Sequence, residues 1–187
     1  VNEAQHVQAI AMDVDTGAVL AMAMYPTYDP AEPPRDDLDL LSELMRITVI
    51  GDVYEPGSTF KMLTAAAAIA SGLTHPGEGF YCSGKYTVSG STVRCWGAPH
   101  GAQSMGEALQ NSCNPVFINV GLRVGVDGFY NGMKDLGLMS KTNIDIPGEA
   151  STIMHKKETI GPVELATMSF GQSFQITPMQ LITAVSA

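Results

Sequence analysis

The sequence has no apolar run approaching the roughly 18 residues of a membrane span. Its first residues, Val1 to His6, lack both the basic start and the apolar stretch of a secretory leader. An export signal or membrane anchor would therefore belong to a longer parent, and the chain itself reads as soluble. Positive charge is scarce, with 10 Lys and Arg against 19 Asp and Glu, a net charge of -9. No basic cluster overrides that balance, which argues against a phosphate-binding surface, and nucleic acid is not an expected partner. Cysteine is sparse too. Cys82, Cys95 and Cys113 come with no Cys-x-x-Cys and no paired histidines, so no zinc pattern is visible and no metal is expected. Internal repeats and low-complexity linkers are lacking.

What is present is a 187-residue chain, 45% hydrophobic and 16% charged. That fits one globular domain, or most of one, with a real core. His6 to Met24 reads as two strands around a turn at Asp15-Thr16-Gly17, with Val and Ile on one side and Ala and Met on the other. Proline-rich Tyr25 to Arg35 is a loop. Asp36 or Asp37 caps a helix whose apolar positions are Leu40, Leu41, Leu44, Met45 and Thr48. A second helix follows Pro56-Gly57 and runs through Ala70 to a stop at Gly72. It is apolar nearly all round, which predicts burial in the middle of the domain.

Tyr86 to Arg94 alternates around Gly90-Ser91 as a small hairpin. Ser104 and Glu107 form a capping box for a short helix ending near Gln110. Pro115 suits the first turn of a helix reaching Val124, with Gly125 as its end. Further helices are predicted over Asp127–Leu136, over Pro162 to about Ser169, and from Thr177-Pro178 onward, the last with a Thr177/Gln180 capping box.

The chemistry concentrates in Tyr54-Glu55-Pro56-Gly57-Ser58-Thr59-Phe60-Lys61. Ser58 and Lys61 are three apart at a helix start, so they share one face with Cβ atoms about 5–6 Å apart. A serine hydroxyl needs a neighbour to take its proton. Lysine can do so only when neutral, and burial together with a helix N-terminus depresses its pKa. Simple capping by Ser58 is the plainer reading, but capping favours Glu or Gln three residues on, where the helix dipole opposes Lys61. The second signal is Asn111-Ser112-Cys113-Asn114-Pro115, in a break between helices. There Ser112 could relay a proton and Asn114 could hold a peptide-like substrate, or the two could merely cap.

Together these elements match Ser-x-x-Lys plus Ser-x-Asn, two of the three motifs of penicillin-binding proteins and class A β-lactamases. The likeness extends further. Met12 to Met22 followed by Pro26-Thr27-Tyr28-Asp29-Pro30 resembles the opening strands of the transpeptidases. Gly161-Pro162-Val163-Glu164-Leu165-Ala166, Ser169-Phe170-Gly171-Gln172 and Thr177 to Leu181 resemble the segments before their third motif. Ser-Cys-Asn and the Cys82…Cys95-Trp96 stretch look most like class B, division- and sporulation-type members.

The resemblance implies an α+β fold of the penicillin-recognising type: an antiparallel sheet, helices behind it, and a helical subdomain in front. Residues 1–187 would be a partial transpeptidase domain with the first two strands present and the last three missing. It implies DD-transpeptidation in peptidoglycan synthesis, at the extracytoplasmic face of a membrane-anchored parent. Ser58 would be acylated by the D-Ala-D-Ala stem peptide or by β-lactams, and Lys61 would be the base. Ser112 would pass the proton to the leaving amine, and Asn114 would hydrogen-bond the substrate amide. No cofactor is implied, and cell-wall synthesis proteins are the expected partners.

The third motif, Lys-Thr-Gly, is not found. The only Lys-Thr pair, Lys141-Thr142-Asn143, lacks the glycine and precedes Phe170-Gly171. The family's strand there binds the substrate carboxylate and supplies an oxyanion-hole amide, so this chain alone is expected to be impaired. Two alternatives stay open: a carboxypeptidase or β-lactamase-like hydrolase, and a non-catalytic penicillin-binding piece. Cys82 and Cys95 flank the hairpin and form a disulfide-capable pair, while Cys113 receives no catalytic role. His75, His100 and His155 are expected at the surface and His6 on a strand; Trp96 could line a substrate groove, with core or loop packing the plainer reading, and the methionines are core filler.

Overall fold

Residues 3–187 are described by a computed structural model; Val1 and Asn2, and what was expected of them, lie outside it. Strands β1 (Val7–Met12) and β2 (Val19–Tyr25) pair antiparallel, Ile10 opposite Met22. The turn is tied by Asp13, whose carboxylate accepts from the Asp15 and Thr16 N–H groups and the Thr16 hydroxyl, while Gly17 takes φ 71. The expected split of side chains is corrected. Ile10, Met12, Met22 and Met24 share the inward face and pack with Val49, Ile50 and Met179, whereas Val7 and Val19 are exposed. His6 stands just before β1 rather than on it.

The expected single helix through Thr48 is two pieces, α1 (Leu38–Leu44) and α2 (Thr48–Gly51). Asp37 is the cap, its side chain accepting from Leu40 N–H. The break has a packing cause: α1 buries no residue, while Val49 and Ile50 of α2 are fully buried. The chain therefore bends after Met45 to deliver the second pair to the core.

A 3-10 turn over Gly57–Phe60 leads into α3 (Lys61–Ala70), and Gly72 ends it with φ 67. Burial of α3 is one-sided. Lys61, Leu63, Thr64, Ala65 and Ala68 face inward, but Met62 and Ile69 remain exposed, so the all-round apolar pattern overstated its burial.

Beyond it come β3 (Gly79–Cys82), β4 (Lys85–Val88), β5 (Ser91–Arg94) and β6 (Gly101–Ser104). The predicted hairpin is β4–β5, turning through Ser89 and Gly90, both at positive φ. The β3–β6 pair was not anticipated, because two four-residue strands that each begin with glycine and pair around an intervening hairpin carry little periodic signal. Among the described residues, each of the three sheets has two strands.

The capping boxes at Ser104/Glu107 and Thr177/Gln180 both form, starting α4 (Met105–Gln110) and α7 (Pro178–Ser186). Between them lie α5 (Asn114–Asp135) and α6 (Pro162–Met168). Gly125, at φ 72 and ψ 170, breaks α5 where the sequence puts a stop. Gly121 of α5 crosses against Ser169, where an added Cβ would lie 2.3 Å from the Ser169 Cβ. Two apolar clusters result, one joining α3, α4 and the first half of α5 to the hairpins, the other joining α3 to the second half of α5, α6 and α7. Lys141-Thr142-Asn143 lies in irregular chain, where Glu149 accepts from both Thr142 donors and from Asn143 N–H. No helix among the described residues is long and apolar enough to cross a membrane.

Candidate active site

Ser58 stands exposed on the 3-10 turn, and the turn is braced from behind. Gly57, at φ 58, donates its N–H to Gly171 O at 2.8 Å. Gly171 has φ 85, and a Cβ there would lie 2.1 Å from Gly57 O, so only glycine lets these backbones meet. Tyr54 and Ile176 exchange backbone hydrogen bonds of 3.0 and 3.1 Å, and Ser173 N–H donates to Glu55 Oε1 at 2.7 Å. The Phe170-Gly171-Gln172 segment, noticed in the sequence only for its resemblance, is thus the support of the nucleophile turn.

The second wall is the α4–α5 connection. Ser112 N–H donates to Leu109 O and Cys113 N–H to Ala108 O, closing α4 with Ser112 in the left-handed region at φ 51. Glycine is the usual occupant of that position. A serine kept there at a cost in strain suggests that its side chain has a use. Cys113 caps α5 without a side-chain hydrogen bond, and Asn114 and Pro115 open the helix.

Lys61 joins the two walls. It is fully buried, and its Nζ lies 3.1 Å from Ser58 Oγ, 2.8 Å from Ser112 Oγ, 2.7 Å from Ser112 O and 2.7 Å from Asn114 Oδ1. All four residues singled out in the sequence therefore meet at one nitrogen. Burial pushes the Lys61 pKa down to about 8, against the opposing pull of the Cys95 and Cys113 sulfurs. The Phe117 ring lies 5.8 Å away and forms part of the apolar surround.

The contacts divide by chemistry. Ser112 O and Asn114 Oδ1 are carbonyl oxygens that can only accept, so they engage the two N–H groups of a neutral amine. The remaining lone pair faces the hydroxyls of Ser58 and Ser112, either of which can donate. The arrangement can take a proton from one serine and return it through the other. Asn114 Oδ1 is committed to Lys61, which leaves its Nδ2, 3.5 Å from Arg94 O, as the group able to donate to a ligand.

Sequence reasoning missed the other neighbours of this loop. Trp96 is exposed rather than packed, and its indole N–H donates to Asn111 O at 2.9 Å, beside the second motif. His100, expected at the surface, is half-buried with Nδ1 3.6 Å from Cys95 Sγ. Cys82, Cys95 and Cys113 are all buried free thiols, so Cys82 and Cys95 do approach each other but as part of a larger group.

The penicillin-binding protein transpeptidase domain family model matches residues 7–187. Stage V sporulation protein D of Bacillus subtilis is 40% identical over 96% of this chain and 28% of its own length. Peptidoglycan D,D-transpeptidase FtsI of Escherichia coli is 31% identical over 96% of the chain and 30% of its own length. The chain thus spans less than a third of these relatives. Penicillin-binding protein 3 of Mycobacterium tuberculosis, solved with aztreonam, superposes with a TM-score of 0.87 at 27% identity, over 98% of this chain and 41% of that one. The fold class expected from the sequence is that of these neighbours.

Proposed function

The chain belongs to the penicillin-binding protein transpeptidase domain family, in its class B branch, and from that premise we propose that Ser58, Lys61, Ser112 and Asn114 are the acyl-transfer machinery of a peptidoglycan DD-transpeptidase. The observation that carries the proposal is the buried Lys61 nitrogen, within hydrogen-bond reach of both serine hydroxyls and held by two carbonyl acceptors.

In acylation, neutral Lys61 takes the Ser58 proton as Oγ bonds to the carbonyl carbon of the D-Ala-D-Ala peptide bond. The tetrahedral intermediate collapses with cleavage of the C–N bond. The proton returns from Lys61 through the Ser112 hydroxyl to the leaving amine, and free D-Ala departs. An acceptor amine then attacks the Ser58 ester, and the same protons run in reverse. Asn114 Nδ2 donates to the carbonyl of the substrate backbone and aligns it. A β-lactam acylates Ser58 by the same steps, but its leaving amine stays tethered.

Residues 1–187 form part of the transpeptidase domain of a longer, membrane-anchored protein acting at the outer face of the membrane with other cell-wall synthesis proteins. With no Lys-Thr-Gly in the sequence, the chain supplies nucleophile and relay but not the facing strand. Loss of even one oxyanion donor costs about 10²–10³ in rate, so the chain alone should acylate slowly. Deacylation separates transpeptidase from hydrolase. A parent protein labelled with penicillin should hold the adduct through hours of chase, whereas rapid release of penicilloate would assign a carboxypeptidase or β-lactamase-like hydrolase.

A further inference from the structure

We propose that Lys85 and Arg94, with Trp96 beside them, form a carboxylate-binding subsite for the part of the stem peptide that precedes D-Ala-D-Ala. The proposal rests on the acyl-transfer reading of Ser58 and Lys61, and names the substrate class that the same site selects. Lys85 and Arg94 lie directly opposite each other in the β4–β5 ladder. Both are exposed, while their neighbours Tyr86 and Val93 pack inward against the apolar cluster under the hairpin. Like charges at directly opposed positions destabilise a hairpin. With a net charge of -9, the chain has carboxylates to spare. Among the described residues, however, Arg46, Arg123 and Lys157 form ion pairs with them and neither Lys85 nor Arg94 does. Two cations held side by side without an acid are suited to an anion from outside.

Their place in the fold says which anion. Arg94 ends β5, and its carbonyl accepts from Asn114 Nδ2 at 3.5 Å. Asn114 is the residue assigned above to align the substrate backbone, and its Oδ1 holds Lys61. Cys95 N–H donates to Gly84 O at 2.8 Å, which closes this end of the hairpin beside the cation pair. Cys95 is buried, and Arg94 and Trp96 are exposed on either side of it. Trp96 is 71% exposed, yet its ring is anchored: the indole N–H donates to Asn111 O at 2.9 Å. Asn111 is itself held, donating from Nδ2 to Gln103 Oε1 at 3.0 Å. An anchored, exposed indole covers an aliphatic chain with little further loss of side-chain freedom.

The three side chains together define the ligand. A stem-peptide side chain that is aliphatic and ends in a free carboxylate supplies both the apolar stretch for the indole and the charge for the cations. A guanidinium engages a carboxylate through two parallel N–H donors, and an ammonium adds a point charge. An amidated side chain of the same length has lost that charge. The subsite therefore distinguishes free from amidated stem peptides while the acylation chemistry at Ser58 stays the same for both.

The test uses the full-length protein and two penicillins that differ only at the end of the side chain: one with an adipoyl group and its terminal carboxamide. The readout is the ratio of their second-order acylation rates, which cancels effects on the chemistry they share. The carboxylate should react about tenfold faster at low salt, within what two exposed ion pairs contribute, and added salt should shrink the ratio. In Lys85→Gln/Arg94→Gln the ratio should fall to near unity. Lys85→Glu, which gives Arg94 an internal partner, should abolish the preference as well. Both changes relieve the like-charge repulsion, so both variants should fold. A ratio near unity in the wild type, or one that survives both variants, would overturn the subsite while benzylpenicillin still labels Ser58. Absence of benzylpenicillin labelling in the folded wild type would overturn the acyl-transfer reading, and the subsite with it.

Discussion

The two walls of the site are held in different ways. Behind Ser58 the support is backbone on backbone: Gly57 against Gly171, and Tyr54 paired with Ile176. Behind Ser112 and Asn114 it is side chain on side chain: Lys61 Nζ on three oxygens, and a buried group of thiols and imidazole next to the loop. The first wall depends mainly on the shape of packed backbone, with the Glu55 carboxylate as an added brace. The second is built from titratable groups, so its order depends on their charge and chemical state. A nucleophile that must always be presented gains from the first kind of support, and a relay that must gain and lose protons needs the second.

Gly171→Ala should break the first wall most severely. A methyl group 2.1 Å from Gly57 O must push the nucleophile turn away. Covalent penicillin labelling should be nearly abolished and the melting temperature lowered, as expected for about 1–3 kcal/mol of overpacking plus strain at positive φ. Normal labelling would mean that the turn does not need this brace.

Lys61→Arg should follow, with labelling reduced by orders of magnitude, because arginine keeps its proton at any working pH. The wild-type acylation rate should rise with pH and level off above about 8, the value to which burial lowers the Lys61 pKa. The linked stability has a definite sign. Between about 8 and the ordinary 10.5 the unfolded lysine stays protonated while the folded one does not. Folding stability from this group therefore rises with pH across that window. A rate independent of pH from 6 to 9 would remove Lys61 as the base.

Asn114→Ala should act mainly on the second wall. It removes one acceptor from Lys61 and the Nδ2 donor, and should slow acylation about 10²-fold with little change in melting temperature. Ser104→Ala should have the smallest effect. It removes only the α4 cap, costing about 1 kcal/mol, and should leave the acylation rate unchanged in the folded protein.

How far each wall could be read from sequence follows from the same contrast. Ser58, Lys61, Ser112 and Asn114 were legible because their spacing encodes a shared helix face and a loop between capped helices. The capping boxes at Ser104 and Thr177 and the break at Gly125 were legible for similar local reasons. What brings Gly171 to Gly57 is a contact between segments more than a hundred residues apart, and glycine alone does not announce its partner. Of the thiol and imidazole group only the Cys82 and Cys95 pair flanking the hairpin was legible; His100 and Cys113 share no short motif with them. Cys82 and His100 meet through the β3–β6 pairing, whose four-residue strands have too little periodicity to predict, while Cys95 is tied to Gly84 and Cys113 to the end of α4. The bend between α1 and α2 was likewise a matter of tertiary burial, with Val49 and Ile50 drawn to Met179.

The central claim is that Ser58 is acylated with Lys61 taking its proton. The direct measurement is proteolytic mass mapping of the full-length protein after incubation with a penicillin at pH 8. A single penicilloyl adduct should lie on the peptide carrying Ser58, absent from Ser58→Ala and strongly reduced in Lys61→Arg. An adduct on Ser112 or Cys113, one that persists in Ser58→Ala, or none in the folded wild-type protein would contradict the account.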